Sequence, residues 1–414
     1  MKPRLALLAL SLALSTAGAR DPNNSPNPVS VAPGSLALEV FFPPTDQQHR
    51  EFADVQKYLL NKSSPAFPLI SGAVIRVEWS DFDLGDARTG THTRYDFKII
   101  DEEIGSWISA GKSVNFVLHT TPYGGSHCPR FGSGSNGAQD IGNCAMPPWM
   151  WTALGSSNYT DCGGQVPNYL SREFQTNYQA AIKALIEHYA SNSSVGYVRI
   201  GLGKGGEINL PGGWSDPATP CGEAYTKMWG YTVGNSEKYT WNSYLKKMLE
   251  FEGTLNSSKQ LMVSITPVRA PGVPPEAVSH FIAPIAVKEG IGLGHQGLSD
   301  QSVQNCKGMQ IDWCELFARF SGKVPLESQT LGPSCPRGVG QCGDCPRGAQ
   351  CGRVWITNTT GPLPPLIPFA IKNHATILEI YCEDWLIAFN PNHPENRRTG
   401  AAYAEAIKQA AQAR

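Results

Sequence analysis

The chain has little charge. Only 17% of its 414 residues are charged, and 34 Lys and Arg offset 35 Asp and Glu to leave −1 at pH 7. A near-neutral chain has no field with which to gather nucleic acid or an anionic membrane, so neither is expected as a partner. Apolar runs long enough to cross a bilayer are also missing. The run inside MKPRLALLALSLALSTAGA, at the start, is too short, and no later segment reaches the length needed. The turn after the first strand candidate lacks the glycine pattern of a dinucleotide or phosphate loop, which counts against a doubly wound nucleotide-binding sheet. No cofactor is expected.

Glycine (42), proline (32) and cysteine (11) are plentiful. The first two predict long loops. Lys2 and Arg4, an apolar run and the small residues Ala17-Gly18-Ala19 read as a secretory signal over 1–19. Residues 20–34 (RDPNNSPNPVSVAPG) read as a disordered leader, and 35–414 as one domain. The mature protein is therefore expected outside the cell. Six N-x-S/T sequons, at Asn23, Asn61, Asn158, Asn192, Asn256 and Asn358, agree with export. In an oxidising compartment most of the cysteines should pair. Cys382 sits in an apolar run and is expected as a buried free thiol. The cluster CPRGVGQCGDCPRGAQC (335–351) has spacing that zinc could use, but export makes disulfides the expectation.

Along the chain, strand-like and helix-like segments alternate. Strands are predicted at 36–42, 72–79, 113–119, 195–202, 260–266, 290–295, 323–330 and 375–381. Helices are predicted near 46–60, 96–110, 236–252, 309–320 and 401–413, with a short one after strand five and another from about 364. Ser171 is expected to cap a further helix, whose stripe holds Phe174, Tyr178, Ile182, Leu185 and Tyr189. A long loop is expected over 120–168. Most strands are near-continuous apolar runs, as in a sheet covered on both faces. Eight strands each followed by a helix predict a (β/α)₈ barrel with long, disulfide-stabilised loops. Pro325 fits poorly inside strand seven, because it cannot donate to a ladder.

A barrel of this kind carries its site at the C-terminal strand ends. Strand two ends in Arg76, Glu78 and Trp79, followed by Asp81-Phe82-Asp83; strand three ends at His119. Strand four runs into IGLGKGGEINLP, which delivers Glu207. Strand six ends Gly294-His295-Gln296, Glu327 lies in strand seven, and strand eight carries Glu379 and Tyr381 before Trp385. Two carboxyl groups across a bond are what glycoside hydrolysis needs. Strands four and seven lie on roughly opposite walls of an eight-stranded ring, so Glu207 and Glu327 could face each other over a sugar. Trp79, Trp149, Trp151, Trp214 and Trp385 supply flat rings suited to the apolar faces of sugars. The substrate expected is thus a carbohydrate.

The stretch IGLGKGGEINLPGG resembles the acid-bearing segment of β-amylases, a Gly-x-Gly-x-x-Gly-Glu run after strand four. Acid on strand four and a second carboxylate on strand seven are similar to the (β/α)₈ glycoside hydrolases at large. The resemblance implies Glu207 as general acid and Glu327 as its partner. Gly206 stands where retaining barrels carry asparagine, and no counterpart of the β-amylase aspartate loop follows strand three. The sugar and the stereochemical outcome stay open.

Each candidate has a second reading. Glu207 could be a surface turn residue. Glu327 could be a structural partner of Arg76 or Arg199, since a carboxylate in an apolar strand is costly to bury alone. Glu379 competes with it for the second catalytic role. His119 and His295 are candidates for substrate hydrogen bonds or satisfied core residues, and Arg76 is expected to orient a carboxylate. At the level of the whole chain, the alternatives are a carbohydrate-binding barrel without turnover and a metal-assisted hydrolase using Glu78, Asp81, Asp83 and His119.

Overall fold

The computed structural model describes residues 36–42, 53–121, 145–155, 159–161, 165–209, 240–255, 257–265, 276–299, 303, 306, 313–332 and 361–413. Among them are twelve strands. They are β1 (Ala37–Phe41), β2 (Gly72–Glu78), β3 (Asp83–Asp86), β4 (Thr91–Tyr95), β5 (Ser113–His119) and β6 (Tyr159–Asp161), then β7 (Gln165–Pro167), β8 (Val195–Ile200), β9 (Gln260–Ser264), β10 (Gly292–Leu298), β11 (Leu326–Thr330) and β12 (Ile377–Tyr381). Eight of them, β1, β2, β5, β8, β9, β10, β11 and β12, form a closed parallel ring in that order. Closure is made by β12 on β1, with Glu39 opposite Glu379. An open doubly wound sheet is therefore ruled out, and the fold is a (β/α)₈ barrel.

Alternation along each strand explains how apolar runs make this ring. In β2, Ala73, Ile75 and Val77 join the large core shared with the helices, while Val74 points to a separate inner cluster with Phe41, Val117, Tyr197 and Met262. In β8, Val198 and Ile200 face the helices, and Tyr197 and Arg199 have the opposite parity. The same rule sends Glu327 and Gln329 inward from β11, and Ile377, Glu379 and Tyr381 inward from β12. Apolar and charged side chains thus share the barrel axis: Phe41 and Tyr381 stand one inward position beyond Glu39 and Glu379, and Val117 is level with Arg76 and Arg199.

Several boundaries differ from those predicted. β11 begins at Leu326, so Pro325 stands just before it and only its carbonyl is used, accepting from the Leu293 amide (3.0 Å). β10 runs on to Leu298, so His295 and Gln296 lie in mid-strand and not at its end. A hairpin of β3 and β4 occupies the loop after β2. The short helix Pro148–Leu154 lies inside the stretch expected as a loop, and another, Cys382–Phe389, starts directly after β12. Cys306 and Cys314 form a disulfide. Cys382 is disulfide-bonded too, which corrects its reading as a free thiol: burial in an apolar run does not prevent pairing. The cluster 335–351 lies outside the described residues.

The helix Arg172–Tyr189 buries Phe174, Tyr178, Ile182, Leu185 and Tyr189, and Ser171 Oγ accepts from the Phe174 amide (3.1 Å). Replacing Ser171 by Ala leaves that amide without its cap and should cost about 1 kcal/mol, measured as a lower denaturant midpoint with an unchanged slope.

Candidate active site

The segment after β8 is a tight glycine turn. Gly205 and Gly206 have φ of 71° and 75°, a region that side chains rarely adopt. A Cβ on Gly206 would also lie 2.5 Å from His119 Nε2 and 2.7 Å from Val117 Cγ1. The turn is fastened by the Gly205 amide on the Thr121 carbonyl (2.9 Å), Gly203 on Glu207 (2.6 Å) and Lys204 on Asn209 (2.8 Å). It carries Glu207 to a buried position, where Asn209 Nδ2 donates to Oε2. Burial raises the Glu207 carboxyl to about 8, against the opposing charge of Arg199. At neutral pH this group holds a proton.

Inside the barrel, Arg199 binds two carboxyls at once. Its Nη1 donates to Glu327 Oε2 (2.7 Å) and to Glu379 Oε1 and Oε2 (3.0 and 3.1 Å), and Nη2 donates to Gln329 Oε1 (2.9 Å). Tyr197 OH donates to Glu379 Oε1 (2.6 Å), and Gln296 Nε2 to Glu327 Oε2 (2.7 Å). Glu327 and Glu379 are fully buried. Burial raises both, Glu379's charge pushes Glu327 further, and Arg199 opposes the rise in each. Gly294 is required here: a Cβ on it would sit 2.1 Å from Glu327 Oε2. The structural partner weighed for Glu327 is thus present, and it is Arg199. Arg76 instead pairs with Glu78.

The remaining candidates divide by environment. His119 and His295 are buried and held neutral, His119 by burial and then by the charges of Arg76 and Arg199. Burial takes His295 down to about 3. Its ring stacks on Trp313 at 4.4 Å. The Nδ1 atoms of both histidines are buried without a partner among the described residues. Tyr381 hydrogen-bonds Gln329 and feels the charge of Glu207 and Glu379. Trp79 is fully buried, with Nε1 donating to Asp83 (2.7 Å) and its ring against Trp149, Phe174 and Tyr178. Trp385 is fully buried beside Phe389. Protein atoms take the faces of these two rings, so they support the loops and present no open platform. Trp149 and Trp151 are buried as well, and Trp214 lies outside the described residues.

Asp83, offered above as a metal ligand, anchors the hairpin: it also accepts from Trp149 Nε1 (3.1 Å) and meets His92 Nδ1 (2.8 Å). Among the described residues no group of three or more His, Cys, Asp or Glu could hold a metal ion. Tyr197, Gln329 and Asn209 were missed in the sequence, although each stands two residues from a singled-out one and so shares its side of a strand or turn.

No family model matches the sequence, and no curated protein matches it. Solved structures do. The catalytic domain of β-amylase from Paenibacillus polymyxa is 14% identical, with 91% of this chain and 100% of that chain covered and a TM-score of 0.53. A β-galactosidase from the psychrophilic Marinomonas ef1 is 12% identical, with 91% and 59% covered and a TM-score of 0.47. At these identities the likeness is one of fold.

Two outcomes follow from this geometry. Gly294→Ala should push Glu327 off Arg199 and lower the melting temperature by several degrees, about 1–3 kcal/mol of overpacking. The second concerns Glu207. Its proton is held to about 8 in the folded protein against an ordinary 4.5. The folded state therefore binds the proton more tightly, and its contribution to stability falls as pH rises across that window. Glu207→Gln cannot ionise, so its unfolding free energy should gain on the wild type steadily between those two pH values.

Proposed function

We propose that the chain is a glycoside hydrolase cleaving O-glycosidic bonds of a poly- or oligosaccharide, with Glu207 as general acid. The observation that carries this reading is the protonated, buried Glu207 at the C-terminal end of a barrel strand, seated on a turn that only glycines can make. Protonating a leaving oxygen near neutral pH requires a carboxyl whose proton is retained there. Glu327 is the proposed nucleophile or base. It reaches the same interior from β11, two strands beyond β9 on the ring that begins at β8. The β-amylase catalytic domain uses the same barrel, which supports the choice of reaction class.

In this reaction Glu207 gives its proton to the glycosidic oxygen as the C–O bond breaks. Glu327 either attacks the anomeric carbon, forming a glycosyl-enzyme that water then hydrolyses, or takes a proton from an attacking water. Asn209 fixes the Glu207 carboxyl, and neutral His119 and His295 offer ring nitrogens to sugar hydroxyls. The chemistry needs no cofactor. The leader, the sequons and the disulfides at Cys306–Cys314 and Cys382 support action outside the cell. Among the described residues no helix is long and apolar enough to cross a membrane.

One observation favours a second reading, a carbohydrate-binding barrel without turnover: Glu327 is already engaged by Arg199 and Gln296. Release of reducing sugar from a glycan panel separates the two. Under the hydrolase reading, Glu207→Gln loses about 10²–10⁴-fold in kcat on natural glycans. It keeps much of its rate on aryl glycosides, whose phenolate leaves without a proton. Glu327→Gln loses both. Full activity in either variant refutes its assignment, and glycan binding without turnover in the wild type selects the second reading.

A further inference from the structure

We propose that Glu327 and Glu379 share a single proton in the empty barrel, that it resides on Glu327 Oε1, and that Glu379 is the positioning residue that keeps it there. The inference rests on the reading of Glu327 as a site carboxyl.

The first argument is a count of charge. Among the described residues, Glu39 from β1, Glu327 from β11 and Glu379 from β12 face this interior, beside the Arg76–Glu78 pair of β2. Glu39 and the other two all act electrostatically on Tyr197. The cation among them is Arg199; Arg76 is engaged with Glu78, and the neighbouring histidines are neutral. Glu207 and Tyr381, which also act on this interior, both hold their protons at neutral pH. One guanidinium cannot satisfy both of the buried carboxyls it binds when a third, Glu39, adds to their negative field, so one of the pair takes up a proton.

The second argument, from hydrogen bonds, says which carboxyl it is. Glu379 receives donors on both oxygens, from Tyr197 and Arg199, and has the environment of an anion. Glu327 receives both of its donors, Arg199 and Gln296, on Oε2. Its Oε1 is buried with no partner among the described residues. A bare anionic oxygen there would lack any solvation, whereas a protonated one is a neutral hydroxyl free to donate to an incoming ligand oxygen. Gly294 shapes the same asymmetry, because the missing Cβ is what admits Oε2 to its two donors.

The consequence for the reaction is an order of events. Glu327 must release its proton to solvent before it can act as nucleophile or base, and the charge on Glu379 opposes that release. Glu379 therefore governs the acidic limb of the activity profile, while loss of the Glu207 proton closes the alkaline one.

Infrared spectroscopy in D2O near pH 7 tests this without any need for turnover, so its failure is separate from failure of the hydrolase reading. Glu207 also holds a proton at this pH and burial raises Glu252, so the Glu327 band is read in the wild-type-minus-variant difference spectrum, where Glu327→Gln should remove one protonated-carboxyl component and leave the others. Glu379→Gln should remove the same component, because Arg199 then serves Glu327 alone and Glu327 ionises. A band unchanged in Glu327→Gln would overturn the protonation, and a band kept in Glu379→Gln would overturn the role of Glu379. Tyr197→Phe is the milder probe if Glu379→Gln does not fold. It removes one donor to Glu379, draws part of the proton there and should weaken or move the Glu327 band, while an unchanged band counts against the proposal. Gln mimics a protonated glutamic acid in shape, so Glu327→Gln should melt within about 2 °C of the wild type at pH 7, and a much larger drop also counts against it.

Discussion

A single guanidinium organises the inside of this barrel. Arg199 reaches across from β8 to β11 and β12 and holds Glu327, Gln329 and Glu379 together. Ions are expensive to bury, and replacing such a pair with well-packed apolar residues is often neutral or stabilising. The network is therefore a weak argument for stability. What it does provide is fixed geometry: two buried carboxyls with defined oxygens, defined donors and different protonation tendencies. The polar part of the barrel interior depends on that arrangement, while the helices outside it rest on ordinary apolar packing.

Glu207 is built in a different way. It owes its position to backbone and not to ion pairing. Two residues with positive φ, a close approach to His119 and three backbone hydrogen bonds turn the chain so that one carboxyl is buried beside Asn209. Its raised affinity for a proton comes from desolvation, with Arg199 acting against it. Glu327 reaches a similar state by another route, through burial combined with the charge of Glu379. Two carboxyls of one barrel thus keep protons for distinct reasons, with Arg199 acting against both.

Much of this was legible in the sequence, and the reasons are physical. Short apolar runs between helix-periodic segments gave the eight-stranded ring, because that pattern follows from a sheet covered on both sides. Ser171 and the stripe behind it were legible as a local cap and a local period. The glycine cluster before Glu207 was legible because backbone geometry leaves its mark on neighbouring residues. Pairings across the ring were not. Arg199 lies 128 residues from Glu327 and 180 from Glu379, so its choice over Arg76 has no local signature. Trp79 and Trp385 look like sugar platforms in one dimension, and only packing reveals that their faces are taken. The hairpin after β2 was missed for a similar reason: its anchor, Asp83, is held by Trp149 from 66 residues away.

The closure of β12 on β1 bears on how such a chain comes into being. The first strand of the ring finds its second neighbour only when the last strand exists, since Ala37 pairs with Ile377. Glu379 arrives on that same last strand. A chain emerging from the ribosome therefore presents Arg199 long before either carboxyl that will neutralise it, and presents β1 with one edge open throughout. Non-local closure of this kind slows folding and leaves strand edges available to other chains in the meantime. The interior that makes the site chemically interesting is thus the last part of the molecule to be assembled during synthesis.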